Sequence, residues 1–502
     1  MKPLVVGALL CLGSPALAQP PEPDLPDYQT PGAPTPGEPV PAPTRAAPPA
    51  AMPEPIQLGE DEAYGAPPSR QGQPFPGQES GRTDPPEGDS GARKFARGVL
   101  FLPRILISTL LAPVRLGVAA STKYEIGPRL HRWFYNDANT FGVYPSIAFE
   151  SGFGFRLGAQ GIYRPTAVDR VHAFAGLNVT GDRSRFALAY EALDRGDGRI
   201  DLGLGAEYDD RPDDKFYGYG NTNAIDAVPA MPVFLGVSPQ AFNSEYASRL
   251  ARATGVADTL LVSHLHTRVT AAIADRDRRD AKGDNDPPIQ TIYAPASLVG
   301  FRSYRYGYAE GEVYWDDRAR KAPWDHPSVT STGSFASVWG GRMVMGDNLE
   351  DFWRYGVELQ HFLRLGEGPR VLSARFHGEA ITAELTEVPF TEVPALGGPF
   401  YLRGYPIDRF RDRIAAVGTL EYQWDLSYEL YASLFVDCGR VYSSYDDLSL
   451  RDLRTGFGIA FEAHTKGYTG VRASIATSED GDVFVNLYFE PIFTVKPRVE
   501  RR

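Results

Sequence analysis

The chain has 502 residues and a formal net charge of −12, from 51 basic and 63 acidic side chains. Of its 43 prolines, 22 lie in the first 90 residues, and residues 19–90 alone carry a net charge of −9. The rest of the chain is close to neutral, which excludes the broad basic face of a nucleic-acid-binding protein, and two cysteines, Cys11 and Cys438, exclude a disulfide scaffold or a cysteine-rich zinc site.

Residues 1–18 have the features of a secretory signal peptide. Lys2 supplies a positive start, Leu4–Leu12 is an apolar stretch too short to span a bilayer, and Ala16–Ala18 is a cleavage site with small residues at both ends. We therefore expect an exported protein whose mature chain starts at Gln19.

Residues 19–90 consist mainly of Pro, Ala, Gly, Glu and Gln and have no apolar periodicity. Such a composition cannot bury enough apolar surface to offset the entropy of ordering the chain. The segment is predicted to be a disordered, extended, acidic linker. It is either a bare spacer or a tether for a periplasmic partner protein.

Residues 91–120 are mostly apolar and contain no acidic residue. Arg93, Arg97, Arg104 and Arg115 fall within about 40° of one another on an ideal helix with 100° per residue. This pattern predicts a short amphipathic helix at the membrane interface, with its arginines on lipid head groups and its apolar side in the acyl chains. The alternative is a core helix of a soluble domain.

From residue 141 onward the apolar pattern has a period of two. Sixteen segments of about ten alternating residues, separated by turn residues, predict a sixteen-stranded antiparallel transmembrane β-barrel. The connections after odd-numbered strands include the three longest, which are Asp209–Ser244, Asp277–Arg305 and Leu385–Arg413. Outer-membrane barrels have short periplasmic turns and long external loops, so both termini are expected in the periplasm.

The predicted barrel covers residues 121–493 and is followed by a tail at residues 494–502. Its least regular strands are the sixth and seventh, at Glu245–Ala253 and Thr259–Arg276, and the long turn Asp317–Thr332 departs from the loop pattern. A soluble protein of two packed sheets also alternates. The aromatic residues of the last predicted strand favour the membrane instead, because such residues suit the lipid interface.

The third long loop contains Gly397–Pro406, with the sequence GGPFYLRGYP, and the two strands after it carry Glu421 and Asp437. If the loop folds back into the barrel, these carboxylates can neutralise Arg403, since a guanidinium binds carboxylates in a bidentate geometry. Gly404 lets the backbone turn sharply and approach the wall. Alternatively, Arg403 is a solvated loop charge.

The order of these elements resembles the bacterial surface antigen superfamily, the barrels of outer-membrane protein assembly factors and two-partner secretion transporters. The sixteen-stranded barrels of that family carry a [V/I/L]-R-G-[F/Y] tip on the sixth external loop, which is similar to Leu402–Tyr405 here. They also carry an F-x-D-x-G strand, matched by Phe435, Asp437 and Gly439.

This resemblance implies an outer-membrane barrel with a weak seam between its first and last strands, which the Arg403 loop braces from inside. It implies a role in insertion or translocation of client proteins or lipids. Classical members have polypeptide-transport-associated domains before the barrel, which residues 19–90 cannot form, so the chain resembles a member without them. The alternative function is a passive pore or a structural anchor.

No other group of residues predicts chemistry. His264 and His266 would share one strand face but lack a third metal ligand in register, and no G-x-S-x-G nucleophile motif occurs. We therefore expect neither catalysis nor a metal or other cofactor. Outer-membrane lipid is the expected surrounding, a homo-oligomer is left open, and Tyr217–Gly220 is an aromatic loop with no assigned role.

Overall fold

The computed structural model describes residues 133–150, 154–178, 183–221, 244–281, 286–293, 298–319, 326, 329–365, 370–426, 430–465 and 468–488. All of them belong to the second of the chain's two units, Ala66–Arg502. The predicted signal peptide, acidic linker, interfacial helix and tail lie outside the described residues, as do Arg93, Arg97, Arg104 and Arg115.

Among the described residues, sixteen of the eighteen β-strands form one closed antiparallel barrel, which confirms the predicted fold class. The barrel strands are β1 (Phe141–Glu150), β2 (Gly154–Tyr163), β3 (Asp169–Asn178), β4 (Ser184–Asp194), β5 (Ile200–Phe216), β6 (Ser244–Val262), β7 (Leu265–Asp280), β8 (Tyr304–Asp316), β9 (Gly333–Met345), β10 (Phe352–Arg364), β11 (Arg370–Ile381), β14 (Ile414–Asp425), β15 (Leu430–Tyr442), β16 (Arg454–Thr465), β17 (Tyr468–Ser478) and β18 (Val483–Tyr488).

The other elements are short and lie in the connections. The two-residue strands β12 (Ala395–Leu396) and β13 (Phe410–Arg411) pair with each other inside the loop between β11 and β14. Single helical turns are α1 (Arg195–Gly198), α2 (Ile289–Ile292) and a 3-10 turn at Tyr445–Asp447. In the part of the chain that the structure describes, no helix is long and apolar enough to cross a membrane.

The alternating sequence folds this way because successive side chains of a strand point to opposite sides of the sheet. In β10, Leu359 is 48% exposed on the outer surface, whereas its neighbour Glu358 is 1% exposed inside the barrel. Half-exposed aromatic side chains flank the outer apolar surface at both ends of the strands, as membrane barrels require. Examples are Phe141, Tyr163 and Trp315 at the short-turn end and Phe186 and Trp353 at the long-loop end.

The strands are paired in chain order around the ring, and the ring closes between β1 and β18. The β1–β2 ladder comprises ten residue pairs. Between β1 and β18 the described ladder comprises two, Phe149 with Leu487 and Glu150 with Asn486. The described part of this closing ladder is therefore much shorter than its neighbour.

The strands around the first long loop are longer than the sequence predicts. β5 ends at Phe216, eight residues beyond the prediction, β6 ends nine residues beyond it at Val262, and β7 begins six residues late at Leu265. Charged residues that resemble loop ends are in fact paired between strands. Asp210 of β5, for example, accepts hydrogen bonds from Arg249 of β6 at 3.2 and 3.3 Å.

This shift corrects the prediction that His264 and His266 share a strand face. Ser263 and His264 form the turn between β6 and β7, with Ser263 at a φ of 46°. The His264 ring packs 5.2 Å from the ring of Trp315, while His266 stacks on Tyr314, whose side chain points to the other face of β8.

We expect Leu188→Arg to lower the free energy of unfolding by about 2–4 kcal/mol, since it puts a charge on the apolar outer surface near the middle of β4. The matched control is Ala189→Arg, whose side chain points into the barrel. Urea unfolding in phospholipid vesicles measures both. Equal losses would contradict the assignment of the two faces.

Candidate functional site: the loop inside the barrel

The long loop between β11 and β14 folds back so that its tip is buried against the inner wall. β12 and β13 form the base of the tip, with Ala395 opposite Arg411 and Leu396 opposite Phe410. The tip, Leu402–Tyr405, is buried throughout. It contacts three successive strands, β14, β15 and β16, through the hydrogen bonds described below.

The tip begins at a residue in an unusual conformation. Leu402 has a φ of 65°, in the left-handed region that non-glycine residues rarely adopt. Its side chain is fully buried in an apolar cluster with Leu396, Phe410, Val417 and Val441. The burial of an apolar side chain offsets the backbone strain and fixes the direction in which the next residue points.

Arg403 is the centre of the site and is 1% exposed. Its Nε and Nη2 donate hydrogen bonds of 2.7 and 2.8 Å to the two carboxylate oxygens of Asp437, and its backbone N–H donates to Asp437 Oδ2 at 2.9 Å. Its Nη1 donates to Glu421 Oε2 at 3.0 Å. The guanidinium carbon lies 3.4 Å from the ring centre of Phe435, a cation–π contact.

A second buried arginine extends this network to β17. Arg472 Nη2 donates to both carboxylate oxygens of Glu421 at 3.0 Å, and Arg472 also forms an ion pair with Glu462 on β16. Glu421 therefore receives hydrogen bonds from two guanidinium groups. Arg403 and Arg472 together join four consecutive strands, β14 to β17, by charge-assisted hydrogen bonds, which are stronger than neutral ones.

Two glycines allow the tip to lie this close to the wall. Gly404 has a φ of 93°, and a Cβ atom there would lie 2.3 Å from the carbonyl oxygen of Thr477 on β17. A Cβ atom on Gly456 of β16 would lie 1.6 Å from the carbonyl oxygen of Arg403. Both distances are far below any contact that a side chain tolerates, so only glycine fits at either position.

Tyr405 completes the contact with β16. Its hydroxyl lies 3.4 Å from both the carbonyl oxygen of Thr455 and Oε1 of Glu479, and it donates toward them. Burial, together with the negative charge of Glu479, raises the pKa of Tyr405 to about 12. The phenol therefore keeps its proton at neutral pH and remains a donor.

The loop is also held on its other side, before the tip. Arg375 of β11 forms a 2.6 Å ion pair with Glu358 and places its guanidinium 4.6 Å from the ring centre of Tyr401. Glu392, in the first half of the loop, forms a 3.1 Å ion pair with Arg276 of β7. These contacts spread the loop from β7 across to β17.

The structure thus brings together all eight residues that the sequence predicts for the loop and the wall. Gly439 lies beside the base of the loop, where a Cβ atom would be 3.1 Å from Cδ1 of Leu396. Sequence reasoning missed Arg472, Glu462 and Glu358. Each is a charged residue between apolar neighbours in a strand, which marks it as an unusual residue of the lumen wall. The sequence alone does not indicate which of these residues contact one another.

A comparison with family descriptions identifies this region. Residues 324–476 match the Omp85 superfamily domain, a range that includes the loop tip and strands β9 to β16. The resemblance seen in Leu402–Tyr405 and in the Phe435, Asp437 and Gly439 strand is confirmed. Barrels of the Omp85 superfamily lie in the bacterial outer membrane.

Three solved structures are similar to the chain. BamA from Haemophilus ducreyi lacking POTRA domains 1–3 has 14% identity and a TM-score of 0.48, with 70% of each chain covered. CdiB from Acinetobacter baumannii has 11% identity, a TM-score of 0.43 and coverage of 69% of this chain and 58% of that one. CdiB from Escherichia coli has 14% identity, a TM-score of 0.42 and coverage of 69% of this chain and 62% of that one. This chain therefore spans less than two thirds of either CdiB chain. Among curated proteins, none matches the sequence.

We expect Arg403→Ala to lower the free energy of unfolding by about 3–5 kcal/mol, because it leaves Asp437 buried without its cation. The control is Arg413→Ala, which removes an ion pair with Glu384 at the exposed rim and should cost no more than about 1 kcal/mol. Urea unfolding in vesicles compares the two. Similar costs would contradict the central role of Arg403.

We expect Gly456→Ala to displace the loop tip, because the added methyl group collides with the carbonyl oxygen of Arg403. Limited trypsin digestion of the folded barrel should then cut after Arg403, whereas burial of Arg403 should protect this site in the unmodified protein. Gly307→Ala on β8 is the control, since a Cβ atom there meets no other atom within 4 Å. Protection of Arg403 in Gly456→Ala would contradict the close approach.

Proposed function

We propose that this barrel assists the insertion or translocation of client proteins or lipids at the outer membrane. The observation that carries the proposal is the position of the Arg403 tip, which is fixed by ion pairs on the wall next to the closing ladder. The Omp85 superfamily domain supports the same general role. Client proteins or lipids are the proposed partners, and outer-membrane lipid surrounds the barrel.

The loop braces one side of the closing ladder. Gly404 packs on Thr477 of β17, and β17 is the neighbour of β18. Arg472 of β17 is held in turn by Glu421. The wall from β14 to β17 is therefore braced as far as the strand that pairs with β18, and β18 closes the ring against β1.

The described part of the β1–β18 ladder contributes two residue pairs, and we propose that the ring opens at this ladder. A barrel that opens there exposes unpaired N–H and C=O groups at two strand edges. Such edges can pair with a strand of a client protein. An opened wall also gives lipids a polar path through the membrane. Strand pairing with a client and passage of lipid both follow if the ring opens at the β1–β18 ladder, beside the braced wall of β14 to β17.

The proposal extends to the orientation of the barrel and to its N-terminal segments. Placing the short turns in the periplasm puts both termini there, so that the acidic linker at residues 19–90 can reach a periplasmic partner. The arginines of residues 91–120 would then contact phospholipid head groups of the inner leaflet. In this position the helix can regulate access to the seam.

A disulfide across the closing ladder tests the proposal. Directly paired residues of antiparallel strands have Cα atoms about 4.5–5.5 Å apart, which suits a disulfide. We expect Glu150→Cys with Asn486→Cys, in a Cys438→Ser background, to abolish acceleration of client insertion when oxidised and to restore it when reduced. The readout is the folding rate of an unfolded outer-membrane barrel protein added to proteoliposomes, with exchange of a fluorescent phospholipid measured in parallel.

The matched control joins Ile147→Cys to Leu157→Cys, a pair on the β1–β2 ladder that should not need to open. If the oxidised seam variant still accelerates either process, opening at the seam is wrong. If the unmodified protein accelerates neither process and shows a large, steady conductance in planar bilayers, the barrel is a passive pore. If it accelerates neither process and shows no conductance, the barrel is a structural anchor.

A further inference from the structure

The five residues that follow β5, Tyr217–Asn221, cross to the opposite side of the barrel mouth. We call this segment the mouth strap. In the closed ring of sixteen strands, β5 lies eight strands from β15 in either direction. Asn221 nevertheless contacts β15 directly, so the strap connects opposite walls at the long-loop end.

The contact between Asn221 and Val441 has the geometry of a strand pair. Asn221 Nδ2 donates a 2.6 Å hydrogen bond to the carbonyl oxygen of Val441, and the Val441 N–H donates to Asn221 Oδ1 at 2.9 Å. A carboxamide has a donor and an acceptor side by side, as a peptide group does. It therefore satisfies both backbone groups of one residue at once.

Val441 needs such a partner because the neighbouring ladder has ended. The last pair between β15 and β16 is Gly439 with Arg454. Val441 lies two residues further along β15. Its backbone N–H and C=O groups point toward the side on which β16 no longer pairs with β15. These groups are buried, and buried backbone groups require partners. The Asn221 side chain fills the position that a continued β16 would occupy.

The strap is tied to two further elements at the same place. Arg454, the first residue of β16, donates hydrogen bonds of 2.8 and 3.2 Å from Nη2 and Nε to the carbonyl oxygen of Asn221. Gly220 N–H donates to the carbonyl oxygen of Arg411 in β13 at 2.7 Å. The strap therefore holds the start of β16 and the base of the Arg403 loop together.

Aromatic side chains pack around these hydrogen bonds. The ring of Tyr217 lies 5.0 Å from the guanidinium carbon of Arg409, a residue of the loop. Phe216, at the end of β5, packs 5.0 Å from Phe390 of the same loop and 5.5 Å from Tyr219. The strap and the loop form a single cap of buried rings over the long-loop end.

The two attachments of this cap differ in strength. Arg403 is held by ion pairs with two carboxylates. The Asn221 side chain binds Val441 through neutral groups, and the guanidinium of Arg454 binds the Asn221 backbone carbonyl without an ion pair. A hydrogen bond between neutral groups contributes less than a charge-assisted one. The strap also crosses the mouth outside the strand ladders. It can detach while the Arg403 tip stays on the wall.

We propose that Tyr217–Asn221 is a releasable strap that closes the barrel mouth, with Asn221 as the positioning residue that latches it to the unpaired end of β15. Release of Asn221 opens access to the lumen from the long-loop end. The closed state leaves the Arg403 site fully formed. The proposal concerns access to the lumen and is independent of which client the barrel handles.

Planar-bilayer recording of the full-length barrel tests the strap through Asn221→Ala. Loss of the two hydrogen bonds to Val441 is expected to raise the fraction of time spent conducting about tenfold. Arg413→Ala, a rim variant that does not contact the strap, is the control and should record as the unmodified protein does. Deletion of Gly397–Tyr405 gives the reference for a fully opened mouth. A conducting fraction unchanged by Asn221→Ala overturns the proposal.

Hydrogen exchange of the unmodified protein gives a second test that needs no substitution. Amides of Tyr217–Asn221 and of Val441 are expected to exchange at least ten times faster than those of Leu402–Tyr405, because the strap opens without release of the tip. In Asn221→Ala, trypsin protection at Arg403 should persist. Exchange of the strap as slow as that of the tip, or loss of protection at Arg403, would show that the two open together and would refute a separate strap.

Discussion

A guanidinium buried inside the barrel is the constraint on which the rest of this structure depends. A charge removed from water must be paired and hydrogen-bonded, or its burial is too costly. Arg403 meets this requirement with two carboxylates on neighbouring strands, and Arg472 supports the second carboxylate from β17. The glycines at 404 and 456 follow from it, because the tip reaches the carboxylates only where the wall backbone is bare.

The same requirement makes the lumen uneven. Between β9 and β17 several inward side chains are long, charged and almost completely buried, as in the Arg375–Glu358 pair. On β3 and β4 the inward His172 and Glu191 side chains are both 42% exposed, although they lie 3.5 Å apart. The described inward side chains are thus packed more tightly on the side of β9 to β17 than at this pair on β3 and β4.

Much of this arrangement follows from the sequence, and what does not has a physical reason. A period of two predicts the strands because each side chain alternates between the lipid and the lumen. The LRGY and FVDCG motifs predict Arg403 with Asp437 because an arginine beside glycine at a loop tip and an acid inside an apolar strand are both unusual. The Arg472–Glu462 pair and the Asn221 latch depend on which strands meet across the ring, which local pattern does not encode. The predicted ends of β5, β6 and β7 were wrong because charged residues there are paired between strands, whereas the prediction treated them as solvated loop residues.

The Arg403 tip and the Asn221 latch are attachments of unequal strength, and a barrel that opens at one ladder needs both kinds. A wall that opens at one ladder must stay intact everywhere else, so the sector beside the seam needs contacts that survive the opening, and ion pairs shielded from water supply them. A mouth that only has to admit or retain material needs contacts that break readily, and hydrogen bonds between neutral groups supply those. Had Asn221 been an aspartate, its carboxylate would oppose the Val441 carbonyl oxygen, which now accepts a hydrogen bond from the carboxamide. The neutral carboxamide matches the donor and acceptor of a peptide group, and its hydrogen bonds to Val441 can still break readily.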